Sequence, residues 1–392
     1  MLLRNCKLIN ELVENYNNDI ADLVVKDGII QGIYPVGESG YLGTDVHDIK
    51  GAYVLPGFID MHVHLTLSAG DTLLDSNKEP VQLTLDGYRF ALDSLKNGFT
   101  TIRDVGAGNK VVIGIRDSIN KGELIGPNIY ASGRIVTPTE SGNDFFKNMY
   151  LEVDSPDAMA GAVRQVMKDG ADFIKLMGTG AMMNPGGVPG QAICFEEEFQ
   201  AIVRAAEFKD TYVAVHCHGT EAIKTAIRAG CRTIEHASMM DDEAIEMLMT
   251  SKSYIVPTLS AVNTLLSDLP ESSIHMRAKA EACLNQTIEG VSKAYKKGIK
   301  MGYGTDQGIT GLYHGDNGLE FELRKKLIKM DTLEIIKQAT INSAEIMGID
   351  DKVGSIAVGK MADLVVLEGN PLNDITVLRQ GVKQVIKSGT IV

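Results

Sequence analysis

Eight histidines are spread over 392 residues, and five of them fall in three short apolar stretches. GFIDMHVHL (57–65) carries His62 and His64, YVAVHCHG (212–219) carries His216 and His218, and RTIEHAS (232–238) carries His236. Two further stretches of the same kind contribute other donor types: DFIKLMG (172–178) holds Lys175 and IKMGYGTD (299–306) ends on Asp306. Side chains alternate across an extended strand, so Asp60, His62 and His64 share one face, and His216 and His218 share another. Cys217 points the opposite way and is excluded as a ligand. Imidazoles two positions apart can converge on one object, and a divalent cation is the object that imidazoles and carboxylates hold together. Each residue alone has an ordinary structural reading. Strand-end histidines can be satisfied core residues, a lysine can snorkel to the surface, and a strand-end aspartate can cap the next helix. Their joint placement is what points to a metal site.

That placement depends on the elements around them. From Pro56 onward, short apolar strands alternate with amphipathic helices. The expected strands are the five stretches above together with FTTIRDVG from Phe99, NIYASG from Asn128 and YIVPTL from Tyr254. EEEFQAIVRAAEF and TEAIKTAIRAG read as intervening helices, the second with a Thr220 cap and Gly230 just past its end. Eight strands with crossover helices predict an α/β fold, a parallel (β/α)8 TIM barrel, in which all strand ends and their loops meet on one face. An open doubly wound sheet is the competing architecture, but no GxGxxG follows the first strand. Residues 1–55 and 354–392 are instead rich in β-branched residues and turns. DG and SG pairs flanked by apolar residues predict hairpins there. The two ends are expected to form one small discontinuous β-sandwich domain, with the barrel spanning 56–353. Asp306 would share its face with Gly302 and Gly304, which are expected to leave open space beneath it.

Composition narrows the partners. Hydrophobic residues make up 44% and charged residues 23%, enough apolar content for a large core. A net charge of −13 argues against nucleic acid or an anionic membrane as partner. Five cysteines without a CxxC pair suggest reduced thiols. Charges at Arg4, Lys7, Glu11 and Glu14 interrupt the first apolar run, so no signal peptide is evident, and a cytoplasmic location is expected. A homo-oligomer is expected.

PGFIDMHVHL, the lysine of FIKLMGTG, VHCHG, TIEHA, GTDQG and the tail VGSIAVGKMADLVVLEGNPL resemble, in this order, the amidohydrolase superfamily. The chain is most similar to its imidazolonepropionase-related branch, which includes metal-dependent prolidase-like members. The resemblance implies a binuclear centre. His62, His64 and Asp306 would bind the more buried ion, His216 and His236 the more exposed one, and a carboxylated Lys175 would bridge both. A desolvated, neutral lysine is the species that captures CO2 to form such a carbamate. Nitrogen and oxygen donors without thiolate suit zinc first, with manganese, iron or cobalt as alternatives. Asp60 is a candidate to hold a ligating histidine in place.

The resemblance further implies hydrolysis of an amide bond in a small molecule such as an Xaa-Pro-like dipeptide or an N-acyl amino acid. A bridging hydroxide would attack the carbonyl polarised by the ions. Asp306 would be the proton shuttle. His218, on the His216 face, would donate to the developing oxyanion; holding a loop carbonyl is its plainer role. The alternatives are a cyclic amide or imidazolone hydrolase, a mononuclear deaminase, and an inactive scaffold. Substrate contacts are sought in the loops from Thr137, Gly178 and Gln307. His314 is the best polar candidate among them, and Arg103 could meet a substrate carboxylate or pair with Asp104 or the Asp306 loop. The chain departs from the prolidase-like pattern where that branch has tyrosine in place of His218. It departs again where Glu140-Ser141-Gly142-Asn143 replaces a Gly-Gly-His.

Overall fold

The computed structural model describes residues 1–70, 75, 78–146, 148–181, 189–268 and 274–392. The chain opens with five strands: β1 (Leu2–Lys7), β2 (Ile20–Lys26), β3 (Ile29–Tyr34), β4 (Val46–Asp48) and β5 (Tyr53–Pro56). Nine follow in the middle of the chain. These are β6 (Phe58–Val63), β7 (Phe99–Asp104), β8 (Asn128–Ala131), β9 (Ile135–Thr137), β10 (Tyr150–Glu152), β11 (Ile174–Met177), β12 (Val213–Cys217), β13 (Thr233–His236) and β14 (Tyr254–Val256). The last three are β15 (Leu364–Leu367), β16 (Val382–Lys387) and β17 (Thr390–Ile391).

The middle strands form two parallel sheets, β6-β7-β8 and β10-β9-β11-β12-β13-β14. Helices run between them, among them Pro80–Lys96, Val111–Asn120, Glu196–Glu207 and Thr220–Ala229. Every residue of β6, β7, β11, β12 and β13 is buried, as expected of parallel strands covered on both faces. The Thr220–Ala229 helix buries Ala222, Ile223, Ala226 and Ile227, and ends on Gly230 at φ 89°. Its cap differs from expectation: Gly219 occupies the N-cap without a side-chain bond, and the Thr220 hydroxyl donates to the Met239 carbonyl.

Two expected strands are different. NIYASG ends at Ala131, and the chain resumes as β9, which pairs in parallel with β10 and β11. Residues 299–306 form no ladder; Met301 bridges Ile255, and Gln307 bridges Val63, both in parallel. Backbone bonds still tie this segment to both neighbours: Met61 N–H to Tyr303 O at 2.8 Å, and Gly302 N–H to Ile255 O at 3.0 Å. Gly302 and Gly304 leave no open space. A Cβ on Gly302 would lie 2.5 Å from Met61 Sδ, and one on Gly304 would lie 2.6 Å from Val256 and 2.9 Å from His62 Cβ. These glycines let the segment press against β6 and β14, which brings Asp306 to the end of β6.

The chain ends meet in one mixed eight-stranded sheet, β17-β16-β15-β5-β1-β2-β3, with β4 on β1. Both expected hairpins are present. Asp27-Gly28 and Ser388-Gly389 turn at positive φ, the two-residue geometry that suits the strand twist. Residues of both ends, including Leu3, Cys6, Val54, Leu364 and Ile386, share one apolar core.

Candidate metal centre

His62 and His64 lie at the end of β6, and the Asp306 N–H donates to the His62 carbonyl at 2.8 Å. This sets Asp306 Oδ1 3.3 Å from His62 Nε2 and 3.5 Å from His64 Nε2. On the other side, β12 and β13 pair in parallel with Cys217 opposite His236. The rings of His216, His218 and His236 lie 4.6–4.7 Å apart, centroid to centroid. The two triads, His62–His64–Asp306 and His216–His218–His236, each place one donor atom per residue within 4.8 Å of the others. They adjoin through His62 and His236, whose ring centroids are 4.8 Å apart. Lys175 reaches the same cavity from β11, and its Nζ has no hydrogen-bond partner among the described residues. Nε2 of His216 is likewise unpartnered.

The backbone bends to make this possible. His236, Ala237 and Asp306 sit at φ 67°, 48° and 67°, in the left-handed region that non-glycine residues avoid. Such residues cost about 1–3 kcal/mol each and concentrate at functional sites.

Burial makes most of these groups neutral bases. It lowers the pKa of His64 and His218 to about 4, and pushes His216 and His236 well below the ordinary value. Burial also lowers Lys175 to about 8. At His62 burial acts in the same direction, but the Asp306 and Glu235 carboxylates outweigh it and raise the imidazole. Burial works against the Asp306 carboxylate, but His62, His64 and Lys175 hold it below the usual range, so it stays ionised. Four neutral imidazoles, a fifth held between two carboxylates, an anionic carboxylate and an unpartnered buried amine are a fitting donor set for divalent ions.

The rings are oriented by partners on their other nitrogens. Nδ1 of His62 meets Glu235 Oε2 at 2.8 Å, that of His236 meets Thr258 Oγ1 at 2.7 Å, and that of His218 meets Ser238 Oγ at 2.8 Å. His64 Nδ1 lies 3.3 Å from the Gly106 carbonyl. Sequence reasoning missed Glu235, Thr258 and Ser238. Glu235 lies beside His236 in β13. Its signal was a carboxylate inside a strand otherwise fit for burial, matched by an arginine in β7.

That arginine corrects one expectation. Arg103 is fully buried and does not line the cavity. Its Nη2 pairs with Glu235 Oε1 at 2.7 Å, Nη1 donates to Thr233, and Nε donates to the Met61 carbonyl. Fully buried behind the cavity, with each of its three nitrogens engaged, it does not face a substrate carboxylate there, and its partner is neither Asp104 nor the Asp306 loop. His314 is also outside the cavity: it stacks on Phe90 at 4.5 Å and bonds the Leu67 carbonyl through Nε2. Asp60 acts on backbone rather than on an imidazole ring. It accepts from the His62 and Thr305 N–H groups, the Thr305 hydroxyl and the Asn317 amide.

Among the loops, Phe146, Ala181 and Ile309 reach the cavity, while Glu140–Asn143 do not. Residues 182–188 of the loop from Gly178 lie outside the described residues.

Comparison with known proteins adds independent information. The profile described as "Amidohydrolase family" matches residues 53–392. A solved Xaa-Pro dipeptidase with methionine bound in its active site is 35% identical, with a TM-score of 0.90 over 100% of this chain and 99% of that one. Ochratoxinase of Aspergillus niger is 29% identical over 95% of this chain and 82% of its own length. Imidazolonepropionase of Porphyromonas gingivalis is 23% identical over 89% of this chain and 83% of its own length.

Proposed function

The chain belongs to the amidohydrolase family and is a hydrolase of carbon–nitrogen bonds; on that premise we propose that it is a binuclear metal enzyme cleaving the amide bond of a small substrate. An Xaa-Pro-like dipeptide or an N-acyl amino acid is the leading class, in keeping with its likeness to an Xaa-Pro dipeptidase. The observation that carries the reading is the pair of donor triads with the unpartnered Lys175 Nζ at their common cavity.

In this reading His62, His64 and Asp306 would hold one divalent ion and His216 and His236 a second, with a carboxylated Lys175 as the further oxygen donor to the pair. Zinc is the expected metal, with manganese, iron or cobalt as alternatives. Two such ions would supply an activated water and polarise the substrate carbonyl. Asp306 accepts the proton of the attacking water and returns it to the leaving nitrogen. Burial holds His218 neutral, and in the tautomer whose Nδ1 accepts from the Ser238 hydroxyl, its Nε2–H would donate to the developing oxyanion. Arg103 stands behind the site, neutralising Glu235 while Glu235 orients His62.

The same reading takes residues 56–353 as a (β/α)8 barrel carrying this site. Residues 1–55 and 354–392 are taken as a discontinuous β-sandwich domain. Their shared sheet and shared apolar core support the second assignment.

A second reading, a cyclic amide or imidazolone hydrolase or a mononuclear deaminase on the same fold, is favoured by the imidazolonepropionase likeness. Metal content separates the two. Two ions per chain, with a carboxyl group on Lys175 in a crystal or a carbamate carbon by carbon-13 NMR, support the binuclear enzyme; one ion and an unmodified lysine refute it. Assay of the metal-replete protein against dipeptides, N-acyl amino acids and cyclic amides then distinguishes the substrate classes.

A further inference from the structure

Among the described residues, the cavity wall apart from the donor groups and Tyr150 is apolar. Leu67, Ile135, Phe146, Met149 and Met177 pack into one cluster and line it, each at most 6% exposed. They come from the loop after β6, from β9, from the approach to β10 and from β11. Across the cavity lie Ala261, Val262 and Ile309, which follow β14 and Asp306. Among the described residues, Lys175 and Asp306 are the only non-histidine ionisable side chains with a cavity face apart from the Tyr150 phenol.

The two walls differ in their relation to the chemistry. On the reading that Asp306 returns a proton to the leaving nitrogen, the amine portion lies on the Asp306 side, beside Ile309 and Ala261. The acyl portion must then extend toward the five-residue cluster. A charged acyl side chain would lose its hydration there without a described counter-charge, which is strongly unfavourable. An apolar one would replace water with close contacts. Two of the five wall residues are methionines, unbranched and adaptable, so the wall suits several apolar shapes rather than one.

We propose that the substrate is an amide whose acyl group bears a bulky, uncharged apolar side chain, branched aliphatic, thioether or aryl, seated against Leu67, Ile135, Phe146, Met149 and Met177. This rests on the amide-hydrolase reading and narrows it.

The test uses the metal-replete enzyme and two matched peptide series. One varies the acyl residue of X-Pro (Leu, Met, Phe, Ala, Asp, Lys), and the other varies the amine residue behind a constant leucyl group. In the acyl series kcat/KM is expected to fall at least tenfold from Leu, Met or Phe to Ala, the scale of a few lost methylenes. It is expected to fall at least a hundredfold to Asp and Lys. Met149→Lys, with its fold checked by circular dichroism and its metal content measured, is expected to shift the Leu-to-Asp preference at least tenfold toward Asp. Equal or faster hydrolysis of the charged acyl residues overturns the proposal. So does an unchanged preference in Met149→Lys, or discrimination confined to the amine series. A fully metallated enzyme that cleaves neither series, but opens cyclic amides or deaminates, overturns the amide-hydrolase reading itself and this proposal with it.

Discussion

Replacing Glu235 by glutamine exchanges one oxygen for an amide nitrogen where His62, Arg103 and Thr233 meet. In the native protein one carboxylate oxygen faces Arg103 Nη2 at 2.7 Å and the other faces His62 Nδ1 at 2.8 Å. All three side chains that share this carboxylate are buried, and the charge of Arg103 holds Glu235 far below the usual carboxylate range against the penalty of burial. An amide has only one acceptor oxygen. Arg103 can only donate, so it takes that oxygen, and the amide N–H then faces His62 Nδ1. Nδ1 must become an acceptor, and the ring proton moves to Nε2, the atom 3.3 Å from Asp306 that would otherwise bind metal. Loss of such a partner typically weakens metal affinity about 10–100-fold, or roughly 1.4–2.8 kcal/mol. The metal-free protein should also lose stability, because removing one charge from a buried ion pair costs about 3–5 kcal/mol. The assays are chelator-competition titration with zinc, and calorimetric unfolding of metal-free protein. A glutamine variant with native zinc affinity would refute the reasoning about the His62 tautomer. Glu235 would then serve only to neutralise Arg103.

Asp306→Asn is expected to retain its fold and lose about 10²–10⁴-fold in turnover; near-native turnover removes Asp306 from proton transfer. His218→Asn is expected to keep a full metal complement while kcat falls about 10²–10³-fold. The second donor triad makes the contrary result informative: metal loss, with activity restored by added metal, would assign His218 as a ligand. Lys175→Ala should lose metal and activity, with partial rescue by short carboxylic acids that replace the carbamate; a variant that keeps two ions per chain contradicts the bridge. Burial lowers Lys175 from 10.5 to about 8, so between those values the unfolded chain binds more protons than the folded one. The stability of metal-free protein should therefore rise with pH across this window, by up to about 3 kcal/mol. Denaturant titrations of the native protein and of Lys175→Met, which should lack the rise, check this.

What could be read from the sequence follows a physical division. The parallel strands were legible because strands covered on both faces are continuous apolar runs, and the donors stood out as polar residues inside those runs. The convergence of His62, His216 and His236 followed from parallel strands ending together. Segment 299–306 misled because its apolar pattern is that of a strand. Its glycines serve close approach instead, which depends on Met61, Val256 and His62 elsewhere in the chain. Arg103 was misjudged, and Glu235 missed, for a related reason. An isolated charge in a strand gives no sign of its partner, and theirs lie 132 residues apart. The orienting hydroxyls of Ser238 and Thr258 are common residue types, and only the histidines they face distinguish them.

The shared sheet of the two chain ends has a consequence for synthesis. During translation β1 to β5 leave the ribosome first, but β5 pairs with β15, and their apolar core needs Leu364, Val366 and Ile386. About 300 residues separate these partners, which at roughly 5–20 residues per second is about 15–60 s. Throughout that interval the nascent chain carries an open strand edge at Tyr53–Pro56 and half a core, while the parallel strands between them are free to assemble. A nascent chain stalled before residue 364 would therefore expose a templating edge to neighbouring chains on the same polysome. Aggregation should then respond to elongation rate and chaperone supply more than to the stability of the finished protein.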